Sequence, residues 1–312
     1  MKLLTTGAFP YTEEHFNEFR ELGFEVYQVQ DERIPLNQQE INFHVADIDA
    51  VICNALFLYN DIDDFRNLKL IQLTSVGLDR VPLEKIKSKG IILENARGAY
   101  SIPMAEYAVA GVLQLIKHMR QFADAQKRRS WEKDREIGEL AGCTVCILGC
   151  GNVGTECAKR FRAFDCHVIG IARTPETIIS NHYNEVVPVG ALDDTLGRCD
   201  ILILSVPLTE HTFHLMNKER FEACKPGMIL VNIARGSVVE TDALVEALEN
   251  KRLSGAVLDV FEKEPLMQDS LLWNRDNVVI TPHNSFVGEN NHTRLGQLIL
   301  NNLNSCFATS HW

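Results

Sequence analysis

The fold is decided by the stretch Cys143-Thr144-Val145-Cys146-Ile147-Leu148-Gly149-Cys150-Gly151-Asn152-Val153-Gly154. Its first half predicts a buried strand, and the residues after it, Thr155 to Arg162, favour a helix. The three glycines between them have the G-x-G-x-x-G spacing of a tight turn in front of a helix. The amides and dipole of a helix N-terminus attract phosphate, so the stretch predicts a dinucleotide site. We expect the contacts at Gly149, Gly151, Asn152, Val153 and Gly154.

Length and charge limit the possible functions. The chain has 312 residues, enough for two domains of ordinary size. A net charge of −11 argues against a nucleic-acid or anionic-membrane surface. The apolar start, residues 1–4, is too short for a secretory signal, and no apolar stretch has the length of a membrane span. We therefore expect a cytosolic protein that binds a small molecule, with neither nucleic acid nor membrane as a partner.

The nine cysteines include a Cys-x-x-Cys pair, which in other settings binds metal or forms a redox couple. Cys143 and Cys146 lie in a predicted strand, where residues three apart point to opposite faces. No second Cys or His pair stands at zinc-ligand spacing from them. We expect reduced, mostly buried thiols and no metal site.

Short apolar runs alternate with amphipathic segments along both halves of the chain. This alternation predicts parallel sheets that carry helices on both faces. The predicted strands are 2–5, 24–29, 50–53, 70–74, 91–93, 143–148, 166–171, 201–206, 228–233, 255–260 and 278–281. The predicted helices are 12–22, 82–88, a long one over 101–126 with Tyr107 among its apolar positions, and 288–307.

Polar residues that suit catalysis follow three successive predicted strands. Arg235 follows 228–233, Asp259 and Glu264 follow 255–258, and His283 follows 278–281. Each residue alone has a structural explanation: a surface ion pair for Arg235, a solvated loop for Glu264, a core position for His283. Three such residues at the carboxyl ends of strands in a nucleotide domain point instead to an active site.

The chemistry of this set is specific. An arginine fork binds a carboxylate through two parallel hydrogen bonds. A histidine exchanges a proton with an oxygen near neutral pH, and a neighbouring carboxylate favours the imidazolium. Beside a nicotinamide, such a set reduces a 2-keto acid or oxidises a 2-hydroxy acid.

At these residues the sequence resembles the D-isomer-specific 2-hydroxyacid dehydrogenase family. The likeness spans nearly the whole chain, and the order of its motifs is highly specific. It is carried by 75–79 (Ser-Val-Gly-Leu-Asp), 104–106 (Met-Ala-Glu), 149–154, 206–212 (Val-Pro-Leu-Thr-Glu-His-Thr), 232–236 (Asn-Ile-Ala-Arg-Gly), 258–266 (Leu-Asp-Val-Phe-Glu-Lys-Glu-Pro-Leu) and 281–284 (Thr-Pro-His-Asn).

The resemblance implies a role for each site residue. Arg235 would hold the substrate carboxylate and keto oxygen, His283 would be the acid/base, and Glu264 would be its partner. The amides of Val76 and Gly77 would meet the substrate carboxylate from the first domain. Asp259 would lie on the nicotinamide side of the pocket. The remaining cofactor contacts would be Val206, Pro207, Thr212, Ile233 and Ala234.

The resemblance also implies an architecture of two doubly wound parallel-sheet α/β domains. A flavodoxin-like substrate domain would comprise residues 1–102 plus 285–312. A Rossmann dinucleotide-binding domain, residues 103–284, would be inserted into it, with the substrate in the cleft. Homodimers are usual in this family, with contacts mainly from the nucleotide domain.

The expected cofactor depends on the end of the second strand of the nucleotide domain. NAD-specific members carry an acid there for the ribose hydroxyls. This chain reads Gly170-Ile171-Ala172-Arg173-Thr174-Pro175 instead. Arg173 would attract the 2′-phosphate of NADP(H) and the Thr174 hydroxyl would donate to it, unless Arg173 is only a solvated loop residue. We therefore predict a preference for NADP(H), with NAD(H) as a possible cofactor.

The sequence favours an NADPH-dependent 2-keto acid reductase, similar to glyoxylate/hydroxypyruvate reductases or other 2-keto acid reductases. Leu56, Phe57 and Leu58 are candidates for an apolar side-chain pocket, or for the core. Two alternatives stay open: a phosphoglycerate dehydrogenase-like enzyme, and a nucleotide-sensing corepressor-like binding protein that has kept the catalytic residues.

Overall fold

The computed structural model describes residues 1–308, which divide into two compact units. One unit is Met1–Tyr100 together with the segment from Gly288 onward, and the other is Ser101–Val287. The predicted domain ranges, 1–102 with 285–312 and 103–284, stay predictions. Residues 309–312 of the first range lie outside the described residues.

The helices and strands alternate along the chain. The strands are β1 (Lys2–Thr6), β2 (Glu25–Val29), β3 (Ala50–Cys53), β4 (Leu70–Leu73), β5 (Ile92–Glu94), β6 (Thr144–Leu148), β7 (His167–Ala172), β8 (Glu185–Pro188), β9 (Ile201–Leu204), β10 (Met228–Asn232), β11 (Leu253–Leu258) and β12 (Val278–Ile280). The helices are α1 (Glu13–Glu21), α2 (Leu83–Ser88), α3 (Ser101–Ile116), α4 (Met119–Arg128), α5 (Asn152–Ala163), α6 (Leu192–Leu196), α7 (Lys218–Ala223), α8 (Thr241–Glu249) and α9 (Asn291–Ala308).

The first unit is built on a five-stranded parallel sheet in the order β2-β1-β3-β4-β5, the flavodoxin-like order. Alternate strand residues point to opposite faces, so Leu3 packs with Phe19 of α1 and Ile299 of α9. Its neighbour Leu4 packs on the other face with a cluster that includes Leu56. Both faces of the sheet are therefore covered.

The loop after β3 carries the three candidates for an apolar pocket, Leu56, Phe57 and Leu58. Leu56 is fully buried and Phe57 is nearly so, and both belong to the core of the first unit. Only Leu58 is exposed, at 57% of its surface. Two of the three residues are therefore core, which was the structural alternative.

The second unit is built on a seven-stranded parallel sheet in the order β12-β11-β10-β9-β6-β7-β8. From β6 the chain winds outward to β8, then crosses back to β9 and winds the other way to β12. Helices α3 and α5 cover one face, where Phe161 is fully buried. Helices α6, α7 and α8 cover the other, with Phe221 in its core. This is the doubly wound Rossmann topology with one extra strand, and it confirms the predicted fold class of two parallel-sheet α/β domains.

The structure differs from the predicted elements in the helix over 101–126 and in four elements that were not predicted: α6, α7, α8 and β8. The predicted helix over 101–126 is two helices, because His118 has a left-handed backbone (φ 51°). A returning segment occupies the break: the Gly138 amide donates to the Ile116 carbonyl at 3.1 Å, and His118 Nδ1 lies 2.6 Å from Asp134. Strand β8 was not predicted, since it is a short edge strand that ends in a proline and is only half-buried.

Six cysteines are buried in the cores: Cys53, Cys146, Cys157, Cys166, Cys199 and Cys224. Burial raises the pKa of Cys157 and of Cys224 to about 12 in each case, so these thiols stay protonated and unreactive. Within residues 1–308, no helix is both long enough and apolar enough to cross a bilayer.

The outer two glycines of the turn after β6 are required by the fold, and the middle glycine is not. Gly149 has φ +102°, and a Cβ on it would lie 2.9 Å from the Ser205 carbonyl oxygen. A Cβ on Gly154 would lie 2.0 Å from the carbonyl oxygen of Gly149, which no packing adjustment tolerates. A Cβ on Gly151 would meet no heavy atom within 4 Å.

We predict that Gly154→Ala lowers the free energy of unfolding of the second unit by about 1–3 kcal/mol or more, as expected when a methyl group is forced into a packed site. Gly151→Ala should cost less than about 1 kcal/mol, because alanine there is only a poorer N-cap. Thermal and denaturant unfolding of both variants measure the difference. Equal losses of stability would contradict this assignment of the two glycines.

Candidate active site

The glycine turn lies where the second sheet changes its winding direction, between β6 and β9. The Gly149 amide donates to the Ile171 carbonyl of β7 at 3.0 Å, and the Ser205 hydroxyl donates to the Gly149 carbonyl at 2.7 Å. The turn is thus tied to both neighbouring strands. Gly151 precedes α5 without a side-chain cap, so no side chain accepts from the first-turn amides. Uncapped amides beside an open glycine fit a dinucleotide pyrophosphate.

The end of β7 carries an unpaired cation. Arg173 and Thr174 are both exposed. Thr174 is bound to the following short turn, where the Thr177 hydroxyl donates to its carbonyl at 2.8 Å. Among the residues that the structure describes, Arg173 has no hydrogen-bond or ion-pair partner. Its guanidinium is therefore available to an anionic ligand.

The polar residues that the sequence marks as candidates follow three neighbouring strands, so they lie at one edge of the sheet. β10, β11 and β12 pair in parallel, with Asn232 opposite Leu258 and Leu258 opposite Ile280. Arg235 follows β10 by three residues, and His283 follows β12 by three residues. Parallel strands end at the same edge, so the two loops emerge side by side with the loop of Glu264 between them.

Glu264 is the partner of His283. His283 Nδ1 lies 2.9 Å from Glu264 Oε2, and the two side chains are 42% and 38% exposed. The other carboxylate oxygen of Glu264 accepts from the Phe261 amide at 3.1 Å, which orients the carboxylate within its own loop. Because Nδ1 is occupied, Nε2 is the ring atom left for a ligand. A histidine held in this way is suited to proton transfer.

Glu262, the acid two residues before Glu264, has different partners. It binds His214 through one carboxylate oxygen and accepts from the Thr241 amide at 2.9 Å through the other. Burial disfavours its charged form, but the hydrogen bonds from Thr241 and His214 outweigh burial and lower the pKa of Glu262. Glu262 therefore links its own loop to the start of α8 and to the loop after β9.

The turn that carries His283 is built around Asp259. His283 has a left-handed backbone (φ 51°), and its amide donates to the Asp259 carbonyl at 2.8 Å. The Asp259 side chain has no solvent exposure. Its Oδ1 accepts from the Asn284 amide at 2.7 Å and lies 2.5 Å from the Thr281 hydroxyl, and its Oδ2 accepts from the Ser285 amide at 3.0 Å. Both carboxylate oxygens are thus used inside the chain, and the implied contact of Asp259 with a nicotinamide stays a prediction.

Tyr107 belongs to the same group of contacts, and sequence reasoning missed it. Its hydroxyl, on α3, lies 2.7 Å from the Thr281 hydroxyl. Burial raises the pKa of Tyr107 to about 12 against the lowering effect of the Thr281 hydrogen bond, and the charge of Asp259 adds a smaller rise, so the hydroxyl stays protonated. The sequence marks Tyr107 only as an apolar position of a helix, and no local signal identifies its partner.

Arg235 is placed by a backbone turn. The buried Asn232 side chain donates to the Arg235 carbonyl at 3.1 Å and accepts from the Ala234 amide at 3.1 Å. A Cβ on Gly236 would lie 1.8 Å from the carbonyl carbon of Phe261, so this turn packs directly on the loop of Glu264. The guanidinium donates to the Ala234 carbonyl at 2.7 Å and pairs with no carboxylate among residues 1–308.

The other predicted contact residues fall into three groups. In the loop after β9, the Thr212 hydroxyl donates to the Pro207 carbonyl at 2.7 Å, close to the half-buried Val206. Ile233 and Ala234 are buried, with 2% and 6% of their surfaces exposed. Val76 and Gly77 belong to the first unit, where Asn95 donates to the Val76 carbonyl at 2.9 Å and 43% of Val76 is exposed.

Curated relatives span much of the chain. The chain is 34% identical over 288 residues to D-3-phosphoglycerate dehydrogenase of Archaeoglobus fulgidus. The match covers 91% of this chain but only 53% of the Archaeoglobus enzyme. The chain is 33% identical to glyoxylate reductase of Thermofilum pendens, covering 86% and 81% of the two chains. It is 36% identical to hydroxypyruvate reductase of Thermotoga maritima, covering 80% and 81%. The chain thus spans about half the length of the first relative and about four fifths of the two reductases.

Solved structures have the same fold over the whole chain. A D-isomer specific 2-hydroxyacid dehydrogenase from Xanthobacter autotrophicus Py2, in complex with NADPH and MES, matches with a TM-score of 0.78 at 25% identity, covering 98% and 95% of the two chains. A D-lactate dehydrogenase from Aquifex aeolicus, in complex with NAD and lactic acid, matches with a TM-score of 0.73 at 26% identity, covering 97% and 94%.

A family model agrees with these likenesses. The model described as "D-isomer specific 2-hydroxyacid dehydrogenase, NAD binding domain" matches residues 109–285, the part of the chain that contains the glycine turn, Arg235, Glu264 and His283. The matched residues are more than half of the chain. This protein therefore belongs to the D-isomer specific 2-hydroxyacid dehydrogenases, a family of oxidoreductases.

Proposed function

We propose that the protein transfers a hydride between NAD(P)H and a small 2-keto acid or D-2-hydroxy acid, and that it runs as an NADPH-dependent 2-keto acid reductase. The observation that carries the proposal is the His283–Glu264 pair at 2.9 Å, beside the loop of Arg235, which pairs with no carboxylate among residues 1–308. Such a reaction requires two groups of the protein at one sheet edge: a proton donor and a group that binds the substrate carboxylate.

Arg235 is the proposed substrate anchor. Its guanidinium donates to only one carbonyl, so most of its N–H groups remain for a ligand. A planar fork binds a carboxylate through two parallel bonds and so fixes the direction of the adjacent keto group. Val76 and Gly77 of the first unit stay proposed as further donors to that carboxylate.

His283 is the proposed acid. Glu264 on Nδ1 fixes the ring, so Nε2–H is directed away from Glu264. In reduction, Nε2 gives its proton to the keto oxygen, and the same nitrogen takes a proton from the hydroxyl in the reverse direction. The bound dihydronicotinamide supplies the hydride that C2 of the keto acid receives.

The cofactor proposal is supported by the turn after β6 and by the end of β7. Gly149, Gly151 and Gly154 with the amides of Asn152 and Val153 would hold the pyrophosphate. Relatives differ in cofactor, since one solved structure is titled as an NADPH complex and another as an NAD complex. The exposed, unpartnered Arg173 supports NADPH in this chain.

Support for a small substrate comes from two sides. Curated relatives are named as reductases of glyoxylate and of hydroxypyruvate, both short 2-keto acids. The burial of Leu56 and Phe57 also removes most of the support for a large apolar side-chain pocket. A phosphoglycerate dehydrogenase-like activity is the alternative, supported by the name of the relative of which this chain spans about half.

We also propose that the protein is a cytosolic homodimer. In the second unit, α4 has no buried residue although it carries Met119 and Phe122, and Trp131 after it is 96% exposed. Apolar surface of this kind is typical of an interface. A second copy of the chain is the proposed occupant.

A panel of 2-keto acids, tested with NADPH and with NADH at the nicotinamide absorbance, tests the reaction. We expect turnover of short 2-keto acids and a loss of roughly 10²–10⁴ in kcat for His283→Ala, as for a positioned general acid. KM should change less, since Arg235 remains. The matched control is His167→Ala, at the exposed first residue of β7, which should behave as wild type. If no 2-keto acid is turned over, a nucleotide-sensing protein becomes the better interpretation.

Arg235→Lys should not act as a conservative change. Lysine keeps the charge but loses the fork, so the substrate is misaligned and kcat/KM should fall by about 3 kcal/mol of transition-state stabilisation, or more than a hundredfold. Steady-state kinetics measure the loss. Arg198→Lys, at an exposed ion pair with Glu185, is the control. Efficiency within a few-fold of wild type would make Arg235 structural.

Arg173→Asp should weaken NADPH use selectively. One charge-assisted contact contributes roughly 1.5–3 kcal/mol, so wild type should prefer NADPH by about ten- to a hundredfold. The variant should lose that preference and use NADH equally well or better, because aspartate accepts from ribose hydroxyls and repels a 2′-phosphate. Lys159→Asp makes the same charge change on the exposed surface of α5 and should leave the NADPH/NADH ratio unchanged. A wild type that favours NADH would refute the cofactor proposal alone.

A further inference from the structure

We propose that Tyr107 and Thr281 are positioning residues, which hold His283 in its working orientation through the carboxylate of Asp259. The inference rests on the proposed function, because it concerns how the acid of that reaction is kept in place. It adds two residues to the set that the reaction needs, and one of them lies on a helix 174 positions earlier in the sequence.

The first step is the conformation of His283. A left-handed backbone is unfavourable at a non-glycine residue, so other contacts have to maintain it. The backbone carbonyl and the carboxylate of Asp259 together receive the amides of His283, Asn284 and Ser285. The whole turn is therefore wrapped around one buried side chain, and the position of Asp259 determines the position of His283.

The second step is the direction of the hydroxyl bonds. An ionised carboxylate only accepts, so the single hydroxyl proton of Thr281 goes to Asp259 Oδ1, 2.5 Å away. The Thr281 oxygen, 2.7 Å from the hydroxyl of Tyr107, must then accept the proton of Tyr107. The result is a chain of two hydrogen bonds: Tyr107 donates to Thr281, and Thr281 donates to Asp259. Each bond strengthens the other.

The third step is the anchor of this chain. Tyr107 lies on α3, whose neighbouring residues Ala105, Ala108 and Val112 are buried against the second sheet. A packed helix of this kind moves little. The hydroxyl chain therefore ties the turn of His283, which follows the edge strand β12, to the rigid core of its own unit.

The fourth step connects this anchor to proton transfer. Glu264 is held separately, by the Phe261 amide in its own loop, so the 2.9 Å contact with His283 requires both loops to be in place. A displacement of about 1 Å is enough to cost catalysis a factor of up to 10². Among the described residues, the charged groups on this turn and the neighbouring loops are Glu264 at the ring, Asp259 beneath the backbone, Arg235 after β10, and Glu262, which binds His214. A displaced ring loses its contact with Glu264 first, and with it the direction of Nε2.

Thr281→Val is the central test, because it keeps the shape of the side chain and removes the hydroxyl. We expect kcat for 2-keto acid reduction to fall about ten- to a hundredfold, with the KM for NADPH within twofold of wild type. The pH profile of reductase activity should also change, because the ring leaves its contact with Glu264. Thr281→Ser should restore most of the activity and the pH profile. Tyr107→Phe should change both quantities in the same direction by a smaller amount.

The matched control is Thr195→Val. Thr195 is a buried threonine of the same unit, and its hydroxyl donates to the Ala191 carbonyl at 2.7 Å, away from the site. It should lose thermal stability without any change in kcat or in the pH profile. The inference is overturned if Thr281→Val resembles this control, or if serine fails to rescue.

A measurement without turnover separates this inference from the proposed function. The ring signals of His283, followed by NMR at one fixed pH in wild type and in Thr281→Val, should change in the variant because the ring leaves its contact with Glu264. If wild type reduces no 2-keto acid, the proposed function fails, but changed ring signals still support the positioning of His283. Unchanged ring signals overturn the positioning whatever the activity of the protein.

Discussion

All strands of the second sheet run in the same direction, and this constraint brings the proposed site residues to one edge. Parallel strands end at one edge, so the loops after β6, β9, β10, β11 and β12 all emerge there. The order of the strands then places the glycine turn and the three polar residues at different positions along this edge. The glycine turn lies at the change of winding between β6 and β9, while Arg235, Glu264 and His283 follow the three strands from β10 outward. Without the parallel sheet, residues so far apart in sequence would have no reason to meet.

The three acids after β11 show how environment assigns different tasks to the same functional group. A buried carboxylate is costly unless it is fully hydrogen-bonded, and Asp259 satisfies this condition with two amides and a hydroxyl. Glu262 is committed to a histidine and to the start of a helix. Only Glu264, which is partly exposed and bound to the ring of His283, is placed to influence a proton that reaches a ligand.

Much of the fold was predictable because its signals are local or periodic. The β/α alternation predicts both sheets, and the spacing of the glycines predicts the turn after β6. The three residues that follow β10, β11 and β12 were predictable as well, because each stands directly after an apolar run. The break at His118 was not, since Lys117 and His118 are ordinary helix residues and the cause is the returning segment at Gly138. The contact between Tyr107 and Thr281 joins residues 174 positions apart, and one hydroxyl on an apolar helix face leaves no pattern in the sequence.

The structure also separates residues that make the fold from residues that choose the ligand. Gly149 and Gly154 are enclosed by backbone, so replacing either disturbs the sheet itself. Gly151 faces open space, and Arg173 is exposed without a hydrogen-bond or ion-pair partner among the described residues. Surface changes of this kind usually cost little stability. In the proposed function, the nucleotide preference would therefore depend on an exposed loop, and the proton transfer on a buried carboxylate and the turn around it. Such a separation would let one fold accept either nucleotide, and one solved relative is a complex with NADPH while another is a complex with NAD.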